Sequence, residues 1–186
     1  MARATRIAVP DLSDDDDVVA DALALLKRDH RIIERLFTEF DTAVGLQLDP
    51  LSRRICKMLT LHAKIEEEIF YPAARAAIDP KLIDTALAEH AAVKERITRI
   101  EAMTSEHPEF DALMAVLARE VTTHVMEEER DLFPRLARTP LDLEALGMAL
   151  AERKETLMEV MGLHEDDELR AVADPASSGP SAQAAR

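Results

Sequence analysis

HAKIEEEIFYP, residues 62–72, returns further along the chain as HVMEEERDLFP, residues 124–134. Each opens on a His, places a Glu four positions on and ends at a Pro ten positions on. Residues four apart on a helix lie on one face. The spacing therefore predicts two helices, one aiming His62 and Glu66 at a common spot, the other His124 and Glu128. A second motif repeats with them. LKRDHRIIERL, around His30, resembles LAEHAAVKERI, around His90, and both put an acid before the His and an apolar residue three positions after it. The two lone His are offset by 60 residues and the two His-x-x-x-Glu pairs by 62. The chain thus reads as two helical hairpins, each with a His on its first helix and His-x-x-x-Glu on its second. Short connections make sequential helices antiparallel, and two such hairpins pack as an up-down four-helix bundle.

Bulk composition agrees with an all-α chain. Its 186 residues suffice for one domain with a real core, and 47% are hydrophobic. Only 4 are Gly, and β-branched runs are short. No segment approaches the roughly 18–20 apolar residues of a membrane span. The opening MARATRIAVPDLSDDDD lacks the apolar run of a secretory signal. Cys56 is the single cysteine, so no internal disulfide framework exists and the cytoplasm is the expected compartment. The net charge of −14 speaks against nucleic acid, whose phosphates need a basic surface.

Start and stop signals divide the chain further. Residues 1–12 read as a flexible lead. Ser13 with Asp14–Asp17 predicts a helix start, and helix one is expected to run to about Ala43, before Gly45. Asp49-Pro50 predicts the start of helix two, to about 77, and Asp79-Pro80 that of helix three, to about 103. His107-Pro108 opens helix four, to about 138, which closes the bundle of residues 13–138. Thr139-Pro140 opens a Met-rich fifth helix, within residues 139–165, with two readings, a dimer surface or, preferred, packing against the bundle. The tail, residues 166–186, has the composition of a disordered segment. Pro72 and Pro134 fall inside helices two and four, and each predicts a kink or break there.

Inside such a bundle sit four imidazoles, His30, His62, His90 and His124, and two carboxylates, Glu66 and Glu128. Burying them is costly unless something binds them, and a metal supplies the missing partner. The count suits two ions, each taking two His nitrogens, with both Glu side chains shared. Imidazole with carboxylate suits iron, manganese or zinc. The absence of a thiolate set excludes an iron–sulfur cluster. Ferritin-like bundles require Glu three residues before the His. Those positions are Lys27, Leu59, Leu87 and Val121 here, so that ligation fails. Glu67, Glu68 and Glu129 are read as exposed helix charges. Tyr71, the single tyrosine, has two readings, lining the pocket with its hydroxyl on a bridging oxygen or packing as an apolar ring, and because its counterpart Phe133 has no hydroxyl it is read chiefly as packing. Phe37, Phe70, Phe133 and Met126 are expected to line the site and keep it dry. Cys56 is read as a core thiol, His107 as a loop residue and His164 as the end of the last helix.

The order H…HxxxE…H…HxxxE, filled by His30, His62-Glu66, His90 and His124-Glu128, resembles the hemerythrin-like (HHE cation-binding) family over roughly residues 20–138. The resemblance implies a non-haem diiron site, two iron ions with carboxylate and oxo or hydroxo bridges, inside the bundle. It also implies a small ligand such as O2, H2O2 or NO, bound, sensed or scavenged, on a chain that is a monomer or homodimer and touches no membrane. The oxygen-carrying hemerythrins have a further His one turn after the third-helix His, and here that position is Lys94. The departure weakens the reversible-carrier reading and favours peroxide chemistry, sensing or metal handling. An enzymatic, catalase-like decomposition of hydrogen peroxide is the first alternative. A structural or zinc-binding bundle acting through a protein partner is the second.

Overall fold

A computed structural model describes residues 21–163 of the chain. Helix α1 spans Ala22–Thr42, and a 3-10 turn, Gly45–Gln47, leads to α2, Leu48–Ile65. The same rod continues through a π-helical turn, Glu66–Phe70, into α3, Tyr71–Ala77. Next come α4, Pro80–Glu101, and α5, Phe110–Glu127. The latter passes through a second π-helical turn, Glu128–Leu132, into α6, Phe133–Leu136, and α7, Leu143–Met161, ends the described part. All regular structure in these residues is helical. In the bundle α1 packs on α2, α2 on α4, α4 on α5 and α5 on α1, while α7 lies along α1 and α2. None of these helices is long and apolar enough to cross a membrane.

Each helix follows from its sequence. In α1 the residues Leu23, Leu26, Ile33 and Leu36 recur at helical spacing and are all buried. Asp21 caps this helix: its backbone is extended and its carboxylate accepts the Ala24 N–H at 2.8 Å. Helix α1 accordingly starts at Ala22, after the extended Asp21. The Ser13–Asp17 start, the lead, His164 and the tail lie outside the described residues. Asp79 caps α4 with Pro80 at its first position, as expected. Asp49 does not cap α2, which begins one residue earlier. Its carboxylate instead accepts the backbone N–H and the hydroxyl of Ser105, at 2.8 and 3.1 Å, and so ties the α4–α5 connection to α2. Helix α5 starts at Phe110, after the His107-Pro108 turn. Asp142, not the Thr139-Pro140 pair, caps α7. Gly162 closes α7 at φ 61°, a left-handed conformation that only glycine adopts freely.

The expected breaks at Pro72 and Pro134 take another form. Each rod widens by one residue before its proline. The Tyr71 N–H reaches back to the Glu66 carbonyl and the Phe133 N–H to the Glu128 carbonyl, five residues rather than four. A proline cannot donate and crowds the carbonyl four residues back. The wider turn absorbs both effects, and the helix resumes.

Candidate metal centre

All six side chains, His30, His62, Glu66, His90, His124 and Glu128, come together in the bundle interior. None is more than 5% exposed. They form two overlapping groups able to hold a cation: His30, His62, Glu66 and Glu128, then Glu66, His90 and His124. His30 Nε2 faces His62 Nε2 at 3.1 Å, and His90 Nε2 faces His124 Nε2 at 3.0 Å. The carboxylates lie between the pairs. Glu66 Oε2 is 3.3 Å from the Nε2 atoms of both His62 and His90. Glu128 Oε2 is 3.3 Å from His30 Nε2 and 3.6 Å from His124 Nε2.

The outer faces of the imidazoles carry a second set of acids. His30 Nδ1–H donates to Glu129 at 2.8 Å, His90 Nδ1–H to Glu67 at 2.9 Å and His124 Nδ1–H to Glu89 at 2.8 Å. This corrects the reading of Glu67 and Glu129 as exposed helix charges. Both are half-buried, and each is also paired with a cation, Glu67 with Lys94 and Glu129 with Arg31. Lys94, standing where the oxygen carriers have a His, thus turns outward and braces His90 through Glu67. Glu68 does lie at the surface, bonded to Arg153 of α7 at 2.7 Å.

With Nδ1 protonated towards a carboxylate, Nε2 is left as a lone pair pointing inward. In the His90/His124 pair two such lone pairs stand 3.0 Å apart and repel unless a positive charge lies between them. Both Glu66 oxygens and Glu128 Oε2 are buried without a hydrogen-bond donor. Orphaned buried oxygens are rare and costly. The donor set, nitrogen lone pairs alternating with carboxylate oxygens, is therefore complementary to cations. The electrostatics agree. Burial alone would lower His30, but the Glu128 and Glu129 carboxylates outweigh it and push it up to about 9. His124 is likewise raised against burial by Glu89, Glu128 and Glu66. Glu128, which burial would raise, is pulled down to about 2 by its His neighbours. Protons thus occupy a site built for positive charge.

Tyr71 takes the less favoured of its two expected roles as well as the packing one. Its ring packs against Phe70 at 5.8 Å, as expected of an apolar role. Its hydroxyl, however, donates to Glu128 Oε1 at 2.9 Å and lies 3.2 Å from His90 Nε2. The π-helical turn explains the placement. In an unbroken α-helix a residue five on from Glu66 lies about 140° round the axis. An i→i+5 turn brings it to within roughly 50°. The same turn in the second rod sets Phe133 face to face with His30, ring centres 5.8 Å apart. Phe70 is buried against Phe133, and Phe37 is partly buried. Met126 is 54% exposed and does not line the site, which corrects that expectation. Cys56 is a buried thiol, and burial first, then Glu101, pushes it up to about 12. His107 lies in the α4–α5 loop. A cavity of ≈ 140 Å³ between α4 and the second π-helical turn is lined by Leu82, Thr85, Ala86 and Glu89 on one side and Glu128 and Leu132 on the other.

Comparison with known proteins matches this arrangement. The chain is 29% identical over 143 residues to Rv2633c of Mycobacterium tuberculosis, an alignment covering 73% of this chain and 86% of that protein. It is 32% identical over 110 residues to a DNA nickase of Nostoc sp., covering 59% of this chain but only 31% of that protein's length. Among solved structures it resembles a hemerythrin HHE cation binding domain-containing protein of Mycobacterium kansasii, a homologue of Rv2633c. There the TM-score is 0.67 at 26% identity, over 82% of this chain and 99% of that one. The family model of the hemerythrin HHE cation binding domain matches residues 21–136, which hold all six interior ligand candidates, and the chain belongs to that family.

Proposed function

We propose that His30, His62, Glu66, His90, His124 and Glu128 hold two iron ions, and that the chain uses them to bind or remove a small oxygen or nitrogen species. The single observation that carries this is the facing of Nε2 atoms in two pairs, with orphaned carboxylate oxygens between them. Iron, when bound, supplies one-electron redox chemistry with dioxygen, peroxide or nitric oxide. The protein's part is to hold the imidazoles rigidly through the outer carboxylates, to exclude bulk water with Phe70 and Phe133, and to admit small molecules. The cavity beside Glu128 is a suitable entrance for diatomic or peroxide-sized ligands. The net charge of −14 makes a DNA substrate a poor fit, whatever the Nostoc relative acts on.

One observation favours the enzymatic alternative, decomposition of hydrogen peroxide to water and dioxygen. Tyr71 places a hydroxyl on Glu128 at the edge of the centre. Burial first, then the Glu66 and Glu128 charges, raises this phenol well above its ordinary value, so it keeps its proton at neutral pH. It is a proton donor in the place where peroxide oxygens leaving as water need one.

The test is metal content and optical spectrum of protein from iron-supplemented medium, before and after peroxide. Two irons per chain with an oxo-bridge band, both lost in His62→Ala/His124→Ala, is the expected result. One zinc or none, with the fold intact, would sink it. Oxygen evolution that is slowed in Tyr71→Phe at unchanged iron content would establish the enzymatic reading. A stable, reversible adduct without turnover would establish the binding one.

A further inference from the structure

The two halves of the centre are not supported alike. Glu66 and Glu128 are shared, each within 3.6 Å of an imidazole from both pairs, so the inner oxygens do not distinguish the halves. The difference lies behind the imidazoles. His30, His90 and His124 each give their Nδ1–H to a carboxylate at 2.8–2.9 Å. His62 does not. Its Nδ1 is buried without a partner, and the nearest carboxylate oxygen, Asp29 Oδ2, stands 3.7 Å away and is itself unpartnered. By the internal repeat Asp29 is the counterpart of Glu89, which does reach its imidazole, His124. Two features keep Asp29 short. It has one methylene fewer than glutamate, and its other oxygen accepts from Lys154 of α7 at 2.6 Å. Both partners are buried, Asp29 at 1% and Lys154 at 9% exposure. The other cation-paired acids keep their imidazoles: Glu67 Oε1 accepts from both Lys94 and His90, and Glu129 Oε1 from both Arg31 and His30. Only Asp29 is divided, one oxygen on the cation and the other short of the ring.

We propose that Lys154 and the short Asp29 make the centre unequal, so that the cation between His30 and His62 is held weakly and exchanges, while that between His90 and His124 is held firmly. This rests on the two-cation reading of the centre. A carboxylate behind a ligating imidazole orients the ring and raises its basicity, and losing that support costs roughly 10- to 100-fold in metal affinity. The His30/His62 half lacks it at one of its two rings. Helix α7 thereby becomes a latch on the exchangeable site, and Lys154 is a positioning residue.

The experiment is a calorimetric titration of metal-free protein with Co2+, a redox-stable probe. Wild type takes up two ions in steps about tenfold or more apart. His62→Ala abolishes the weak step and leaves the strong one, and His124→Ala does the reverse. Asp29→Glu, whose longer arm reaches His62 while keeping Lys154 paired, tightens the weak step towards the strong one. Such a gain is not what a merely damaged fold produces. Lys154→Met, which releases Asp29, acts in the same direction, and Lys154→Arg preserves the inequality. A readout free of variants is the imidazole N–H spectrum of the zinc-loaded wild type by NMR. Three strongly hydrogen-bonded Nδ1–H signals and one weak one are expected. Four equal signals, two equal Co2+ steps, or Asp29→Glu leaving both steps unchanged would overturn the proposal and spare the two-cation centre. No Co2+ uptake by wild type would overturn the centre itself.

Discussion

At the scale of single residues, the centre is a balance of protons and carboxylates awaiting a stronger cation. The raised His30 pKa, about 9 against an unfolded value of 6.5, means that this imidazole stabilises the metal-free fold when protonated. Its contribution is fully present below pH 6.5 and is lost as the pH rises through about 9. Glu128 works in the opposite sense. Lowered to about 2 from 4.5, it stabilises above pH 4.5, and its contribution is lost as the pH falls through about 2. The metal-free protein is therefore expected to be most stable between pH 4.5 and 6.5 and to weaken towards pH 9, by up to about 3 kcal/mol from His30. The metal-loaded protein should hold its stability across that alkaline range. Urea unfolding of both forms from pH 4 to 9 checks this, and parallel curves would contradict it. Metal uptake at neutral pH should also release protons, measurable as heat that changes with the buffer. Tyr71→Phe keeps the buried ring and removes the only hydroxyl on Glu128 Oε1. It should cost the metal-free protein about 1–3 kcal/mol, read from the urea midpoint.

At the scale of elements, the two π-helical turns do the positioning. Each stands between a His-x-x-x-Glu pair and a proline, and each rotates the following segment so that its first aromatic residue faces the site. Replacing Pro72 by Ala removes the conflict that the wider turn absorbs, and a return to unbroken α-helical phase with every residue kept turns Tyr71 away by roughly 90°. Because Tyr71 is the only tyrosine and the chain has no Trp, intrinsic fluorescence reports on this site alone. The Pro72→Ala variant is expected to brighten, as the phenol leaves Glu128, and to lose metal-dependent quenching. Emission that still responds to metal as in wild type would show that the turn does not place Tyr71. Helix α7 belongs to the same machinery. Arg153 grips Glu68 on the first π-helical turn, Lys154 grips Asp29, and Lys57 donates to the Met161 carbonyl at the end of α7.

At the scale of the whole molecule, six interior polar side chains leave an apolar bundle with buried donor atoms that a bound cation would satisfy. Whatever binds the folded state alone stabilises it by mass action, about 2.7 kcal/mol at a hundredfold excess over Kd. Stripping the metals with a chelator should lower Tm by several degrees at pH 7 and more at pH 9, where the substituting proton on His30 is also leaving. Differential scanning calorimetry of loaded and stripped protein gives the answer, and an identical Tm would argue against ligation by these residues.

The fold and the six interior side chains were legible because they rest on periodicity and repetition. A spacing of four between His62 and Glu66 sets a shared helical face in any fold, and the repeat sets two hairpins around one interior. The acids that support the imidazoles were not legible. Glu67 and Glu129 read as solvent charges because they neighbour the interior Glu on the helix; only the packing of the two hairpins shows that each reaches the His of the other hairpin. Tyr71 read chiefly as packing because its counterpart in the repeat, Phe133, has no hydroxyl, and the π-helical turn that brings its hydroxyl to Glu128 depends on a proline's conflict with its own helix. The split loyalty of Asp29 needs α7, more than a hundred residues away in sequence, to bring Lys154 into the core. Sequence by itself determined which groups meet inside the bundle, since that follows from local helical geometry. Tertiary structure alone decided how those groups are charged, oriented and made unequal, since that depends on contacts between helices that the local pattern does not encode.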